Sequence, residues 1–366
     1  MGVPFYNFAD LHHDALRTEI KNRISDIIDN NAFVEGPFNT KFEEEFASKQ
    51  KAKHCLLVAN GTDALEIGLL AYGIKAGDKV GVPGITFYAT AEAVLNIGAI
   101  PVWIDVDPVA GLLCPQSLER VHKDHGLNAV MPVHIYGLPA PMDAINNFCQ
   151  ANDIFVVEDA AQAQGTYYDN GQPVGSGPNL TTFSFYPTKN LSAFGDAGGI
   201  LTNDAELAKK VVVIRNHGRG DEQSMGRNSR CDHMQAAILH AKLEEIDGHN
   251  NNRKKVAEKY NYELQGLPVA TLPEKYICLS SWHLYPVQCD SIETREKLMH
   301  HLKEKEIGCT PFYEKTLSQE PALAEYSGED SNALNFAGRT LCLPVNPFVS
   351  DSEVKEVAQA IKEFFN

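Results

Sequence analysis

Short apolar runs alternate with amphipathic stretches along most of this chain, and the alternation predicts its elements. Strands buried on both faces read as nearly continuous apolar runs, whereas helices place apolar residues three and four apart. Runs of the first kind occur at His54–Val58, Lys79–Pro83, Ile100–Val106, Ala129–His134 and Ile154–Val157, the last closed by Glu158–Asp159. Between them lie helical patterns over Ala64–Leu70, from Thr86 onward, over Pro115–His125 and over Ala140–Asn152. Strand-helix alternation of this length predicts an α/β fold, a mostly parallel central sheet with helices on both faces.

Upstream of the sheet, Leu16, Ile20, Ile24 and Ile27–Ile28 mark one face of an amphipathic helix, and Lys41–Gln50 reads as a second. A helix begins at Met234 with Ile238, Leu239, Leu243 and Ile246 clustered by spacing, and Asp247–Asn252 then forms a run of polar residues and glycine. Such a run marks a boundary, giving a large domain over 1–247 and a smaller α+β domain over 248–366. In the smaller one, helices are predicted over Lys254–Leu264, Arg295–Lys303, Glu320–Glu325, Ser331–Arg339 and Ser352–Phe365. Leu284–Gln288 reads as a strand, placed at an edge by Pro286.

At 366 residues the chain is long enough for two cores. A formal net charge of -16 argues against non-specific binding to nucleic acid or anionic membranes. The first residues lack a basic stretch followed by an apolar one, and no run approaches the length of a membrane span, so a cytoplasmic location is expected. Eight cysteines with no C-x-x-C pair read as reduced core residues, and no metal site is expected.

Three stretches carry chemistry. Thr182–Gly199 delivers Lys189 from an alternating strand into a loop holding Gly195, Gly198 and Gly199. On an open surface this is an ordinary lysine; in an enclosed site, desolvation lowers its pKa and makes the amine a nucleophile toward a carbonyl. Thirty residues upstream (189 minus 159), Asp159 ends a buried strand at the position where open α/β sheets bind ligands, and there it needs a cation. The alternative for Asp159 is a cap ahead of Ala160. Val58–Leu65 reads as strand, Asn60–Gly61 turn and helix, with Thr62 and Asp63 in the first helical turn. Backbone N–H groups there cap an ordinary helix or cradle a phosphate. A lysine, a buried acid and an anion cradle are together what pyridoxal 5′-phosphate (PLP) requires.

The ordered segments NGTDAL, VPGITFYATAEAV, VVEDAAQAQG, FSFYPTKNLSAFGDAGG and GRNSRCDHMQAAIL closely resemble the sugar aminotransferases of the DegT/StrS family, from Phe33 to the C-terminal helix. The resemblance implies a fold-type I PLP enzyme of the aspartate aminotransferase kind. Lys189 would be the Schiff-base lysine and proton carrier, Asp159 the partner of the pyridinium nitrogen, and Gln162 the contact to the ring 3-oxygen. Gly61, Thr62 and Ser184 would hold the phosphate. Phe87 would stack on the ring, its alternative being a core aromatic. Asn228, in Gly226–Arg230, would reach the phosphate of a neighbouring subunit, which implies a homodimer with shared sites. Arg230 and Tyr313 are the substrate-facing positions.

The resemblance further implies L-glutamate as donor and a nucleotide-linked keto-sugar as acceptor, aminated at C-3, for surface-polysaccharide or related amino-sugar synthesis. A keto-sugar or sugar acid without a nucleotide is the alternative acceptor. A silent PLP-binding regulator and a nicotinamide enzyme are disfavoured, the first by the complete residue set and the second by the missing G-x-G-x-x-G. Three departures from the family pattern, Gln164 for a histidine, Phe312–Tyr313 for His-Tyr and a short loop at Arg219–Met225, are expected where the sugar is read.

Overall fold

A computed structural model describes residues 2–220 and 225–366. Seven strands form the main sheet: β1 (His54–Val58), β2 (Lys79–Pro83), β3 (Ile100–Ile104), β4 (Ala129–Val130), β5 (Phe155–Asp159), β6 (Leu180–Ser184) and β7 (Gly198–Thr202). Their order is β1-β7-β6-β5-β4-β2-β3. All neighbours are parallel except β7, which runs antiparallel to both β1 and β6.

The continuous apolar runs have a two-sided cause. Leu57, Val156, Phe183 and Leu201 enter the core on one face of the sheet, while Leu56, Val157, Leu180 and Ile200 enter that on the other. Consecutive residues point to opposite faces, and each face is covered. Helices Gly61–Ala71, Ala89–Asn96 and Ala205–Arg215 supply one cover. Pro37–Lys49, Pro115–His125, Met142–Ala151 and His233–Leu243 supply the other.

Several boundaries differ from those read in the sequence. The run Ala129–His134 is a strand only at its first two residues, since Pro132 has no N–H to give the ladder. The strand leading to Lys189 ends at Ser184, and the lysine follows in a turn closed by Lys189 N–H donating to Tyr186 O at 2.9 Å. Asp247–Asn252 is helical throughout, inside Ile246–Glu263. Its glycine and asparagines are weak helix formers, but the buried face of Ile246, Arg253, Val256, Ala257 and Tyr260 outweighs them. Glu320–Glu325 forms only a single 3-10 turn at Pro321–Leu323.

After that helix come β8 (Tyr285–Gln288) and β9 (Thr340–Leu343), paired antiparallel from Tyr285 with Leu343 to Gln288 with Thr340. Helices Ile292–Glu304, Ser331–Arg339 and Asp351–Phe365 pack with this strand pair, whose Tyr285, Val287, Leu341 and Leu343 join the same apolar cluster as Phe42 and Phe183. The core therefore continues past residue 247. The cysteines are unpaired, and all but Cys114 and Cys278 are buried.

Gly198 and Gly248 give opposite expectations. A methyl on Gly198 would lie 2.3 Å from Asn60 O, while one on Gly248 meets nothing. Gly198→Ala should therefore destabilise the protein by about 1–3 kcal/mol through overpacking. Gly248→Ala, on an exposed helical site, should stabilise it by about 0.5–1 kcal/mol. Urea unfolding of the two variants checks the signs; a Gly198→Ala midpoint at or above the parent's contradicts the close packing of β7 on the Asn60 turn.

Candidate active site

The C-terminal ends of β1, β5 and β6 open into one cavity of about 820 Å³. Gly61, Thr62, Phe87, Asp159, Gln162, Ser184, Lys189 and Tyr313 all line it. Residues scattered over 252 positions (313 minus 61) thus meet in one place.

At one end, Asn60 caps the helix Gly61–Ala71: its Oδ1 accepts from Asp63 N–H at 2.8 Å, and its carbonyl from Ala64 N–H at 3.1 Å. That leaves the N–H groups of Gly61 and Thr62 without a partner among the described residues. The cap and the anion cradle are therefore both present, because capping consumes only the third donor of the turn. Ser184 faces the cradle: a methyl on Gly61 would lie 2.8 Å from Ser184 Cβ, so only glycine allows the helix end this close to β6.

At the other end sits Asp159, 4% exposed. Its Oδ1 accepts from Ala161 N–H at 3.0 Å and its Oδ2 from the Thr90 hydroxyl at 2.9 Å; no helix starts at Ala160, so Asp159 closes a tight turn rather than capping a helix, and it also lines the cavity. Burial raises its pKa, opposed by those two donors, by Lys189 and by His134. A buried carboxylate with no bonded cation is a group made for a cationic ligand atom. The neighbouring Glu158 turns to the opposite face, where the His134 ring, Tyr168 OH at 2.7 Å and Asn179 Nδ2 at 2.7 Å surround it.

Lys189 is half-buried and lines the cavity. Burial lowers its pKa to about 8, with Asp159 pulling the other way. Gln162 is held by its own amide: Oε1 accepts from Tyr136 N–H at 2.6 Å and Nε2 donates to Tyr313 OH at 3.0 Å, leaving one N–H for a ligand. Phe87 is 56% exposed, which removes the core-aromatic reading, and its ring centre lies 6.0 Å from that of Tyr313.

Two predicted residues stand outside this cavity. Asn228 is exposed and bridges Asn216; Arg230 is half-buried. The segment is nonetheless fastened beside the cradle, with Ala59 N–H donating to Ser229 Oγ at 3.1 Å and Arg227 paired with Glu66 of the cavity wall. Gln164 is a correction. It does not line the cavity but lies fully buried beneath it, donating from Nε2 to Ser184 O at 2.5 Å, so it supports β6 rather than reading a substrate. Within Arg219–Met225, residues 221–224 lie outside the described residues.

Reasoning from the sequence missed Tyr6, Thr90, Glu92, Asn96, Tyr186, Thr188 and His283. Thr90 binds Asp159, and the others line the cavity. Only Thr188, beside the lysine, carried a local signal.

Fold and site together define a fold-type I PLP enzyme: a free anion cradle, a buried acid and a desolvated lysine fit the phosphate, ring nitrogen and aldehyde of that cofactor. The chain belongs to the DegT/DnrJ/EryC1/StrS aminotransferase family, which it matches over residues 14–362. It is 36% identical over 369 residues to the erythromycin biosynthesis sensory transduction protein EryC1 of Saccharopolyspora erythraea, with 99% of each chain covered. It is 35% identical to the dTDP-3-amino-3,4,6-trideoxy-alpha-D-glucose transaminase of Streptomyces venezuelae, covering 99% of this chain and 96% of that one. The crystal structure of S. venezuelae DesV in complex with a ketimine intermediate superposes with a TM-score of 0.92 at 35% identity, covering 99% and 98% of the two chains.

Asp159→Asn removes a charge at almost constant size. The Lys189 amine should then titrate below about 8, since the anion that favoured its ammonium form is gone. The half-reaction with glutamate should slow by roughly 10- to 100-fold, the worth of one hydrogen bond to a charged group. An unchanged half-reaction rate would leave Asp159 with only its structural bonds to Ala161 and Thr90.

Proposed function

We propose that this PLP-dependent sugar aminotransferase converts a keto group at C-3 of a nucleotide-linked sugar to an amine, with L-glutamate as donor. The observation that carries the chemistry is the shared cavity of Lys189, Asp159 and the Gly61–Thr62 cradle. When bound, PLP supplies a carbonyl for Schiff-base exchange and a ring that takes up electrons. The Gly61 and Thr62 N–H groups and the Ser184 hydroxyl would hold the phosphate, Asp159 the protonated ring nitrogen, and the remaining Gln162 N–H the ring oxygen. Phe87 covers the ring.

Lys189 then carries the proton. Burial lowers its pKa to about 8, toward neutrality, which suits an amine that takes a proton from the donor's α-carbon and returns one. Tyr313 and Arg230 are assigned to the acceptor. The C-3 preference is supported by the 3-amino product in the name of the S. venezuelae relative.

The cavity wall also bears on the acceptor and on assembly. Asp63, Glu66, Glu92 and Asp196 line it, and Lys189 is its one cationic residue among those described. A diphosphate and the carboxylates of glutamate need more positive charge than that, which supports a homodimer in which Asn228 and Arg230 act in the site of a second copy. The second reading is a keto-sugar or sugar acid without a nucleotide; the acidic wall favours the uncharged, hydroxyl-rich keto-sugar, while the carboxylate of a sugar acid needs the same added positive charge as a diphosphate. Comparing dTDP- and UDP-linked 3-keto-sugars with the free sugars as amine acceptors separates the two. We assign residues 1–247 to cofactor binding and 248–366 to a smaller domain that closes the cavity with His283, Phe312 and Tyr313. In the described residues no helix is long and apolar enough to cross a membrane, and a cytoplasmic role in amino-sugar synthesis fits the family.

Lys189→Ala should reduce turnover by at least ~10²–10⁴-fold, the usual worth of a positioned acid/base, with the circular dichroism spectrum unchanged. Full activity in that variant removes the assignment. Asn228→Ala should release PLP more readily on dilution, because cofactor affinity is linked to dimer formation. A fully active monomer at high dilution would contradict the shared site.

A further inference from the structure

His283 belongs to the segment just before β8 and lines the cavity with Leu284 and Phe312. It is buried, and its Nδ1 lies 3.1 Å from Asn190 Oδ1. The direction of that bond is fixed by the rest of the amide. Asn190 Nδ2 donates to Asn250 Oδ1 at 2.8 Å and to Ser281 O at 2.9 Å, so the atom turned to the ring is the carbonyl oxygen. A carbonyl only accepts, and Nδ1 therefore carries the ring proton. Nε2 is left with a lone pair and no partner among the described residues.

The ring also stays neutral. Burial lowers its pKa well below the ordinary histidine value, and Lys189 and Arg253 add to the effect. His283 is thus an uncharged acceptor, fixed in one tautomer, on the wall that Lys189 shares.

We propose that His283 is a positioning residue for Lys189, its Nε2 accepting a hydrogen bond from the lysine amine and holding that nitrogen in place while it carries the proton. Charge decides why a neutral imidazole suits the task. A carboxylate there would raise the amine pKa and leave it as ammonium, and an imidazolium would repel it and have no lone pair to offer. A neutral acceptor orients an N–H of the amine and raises its pKa far less than a carboxylate would. The inference rests on Lys189 as the proton carrier.

The test uses two variants. His283→Phe keeps a ring and removes the acceptor, and His283→Gln restores an acceptor at similar reach. In the PLP-loaded enzyme, single-turnover reaction with glutamate should slow by about tenfold in His283→Phe, with its dependence on glutamate concentration unchanged, and recover to within about threefold of the parent in His283→Gln. In protein stripped of PLP, trace acetylation of Lys189 with acetic anhydride, followed by mass spectrometry across pH, should give an amine pKa within about one unit of the parent in both variants. A His283→Phe rate within about twofold of the parent, equal rates in the two variants, or a larger pKa change would overturn the proposal. Lys189→Ala measured alongside separates the failures: activity there sinks the role of Lys189 itself, whereas a dead Lys189→Ala beside a normal His283→Phe sinks only the role of His283.

Discussion

The structure depends on one electrostatic arrangement, a carboxylate and an amine that share a cavity yet do not form an ion pair. Asp159 is committed to Thr90 and Ala161, and Lys189 rises from the turn after β6 with its charged form disfavoured by burial. Each group is left with an unmet electrostatic demand, the acid for a cation and the amine for a carbonyl. The sheet holds them apart. Asp159 ends β5 while Lys189 lies past the end of the neighbouring β6, and the pairing of Asp159 with Thr182 sets that stagger.

A depressed lysine pKa alone does not mark this site. Lys242 is more buried, and its pKa falls to about 7, yet its amine donates to Ser192 Oγ at 2.6 Å and lies near the His12 ring, away from the cavity. Burial makes both amines weak bases, but only Lys189 opens onto a space that a carbonyl compound can enter. Access and the facing acid, rather than the pKa, make the difference.

The sheet and the main residues of the cavity were legible in the sequence because their determinants are local. A two-faced strand needs a continuous apolar run, an anion cradle needs Asn-Gly and a helix start, and a buried acid at a strand end stands out by its context. What was hidden depends on distant parts of the chain. Asp247–Asn252 looks like a break until the tertiary burial of Val256, Ala257 and Tyr260 is known, and β9 is a strand only because β8 lies beside it. His283 belongs to the same class: nothing near it in sequence tells that Asn190, 93 residues away, sets its tautomer. Gln164 was assigned to the substrate on the family pattern, and packing places it under β6 instead.

The central claim is that the cofactor aldehyde is held by Lys189 and by no other amine. Borohydride reduction of the PLP-loaded protein, followed by proteolysis and mass spectrometry, fixes the pyridoxyl group on the lysine that bound it. The account predicts a single modified peptide carrying Lys189. Label on Lys242, or on the surface lysines in proportion to their exposure, would contradict it.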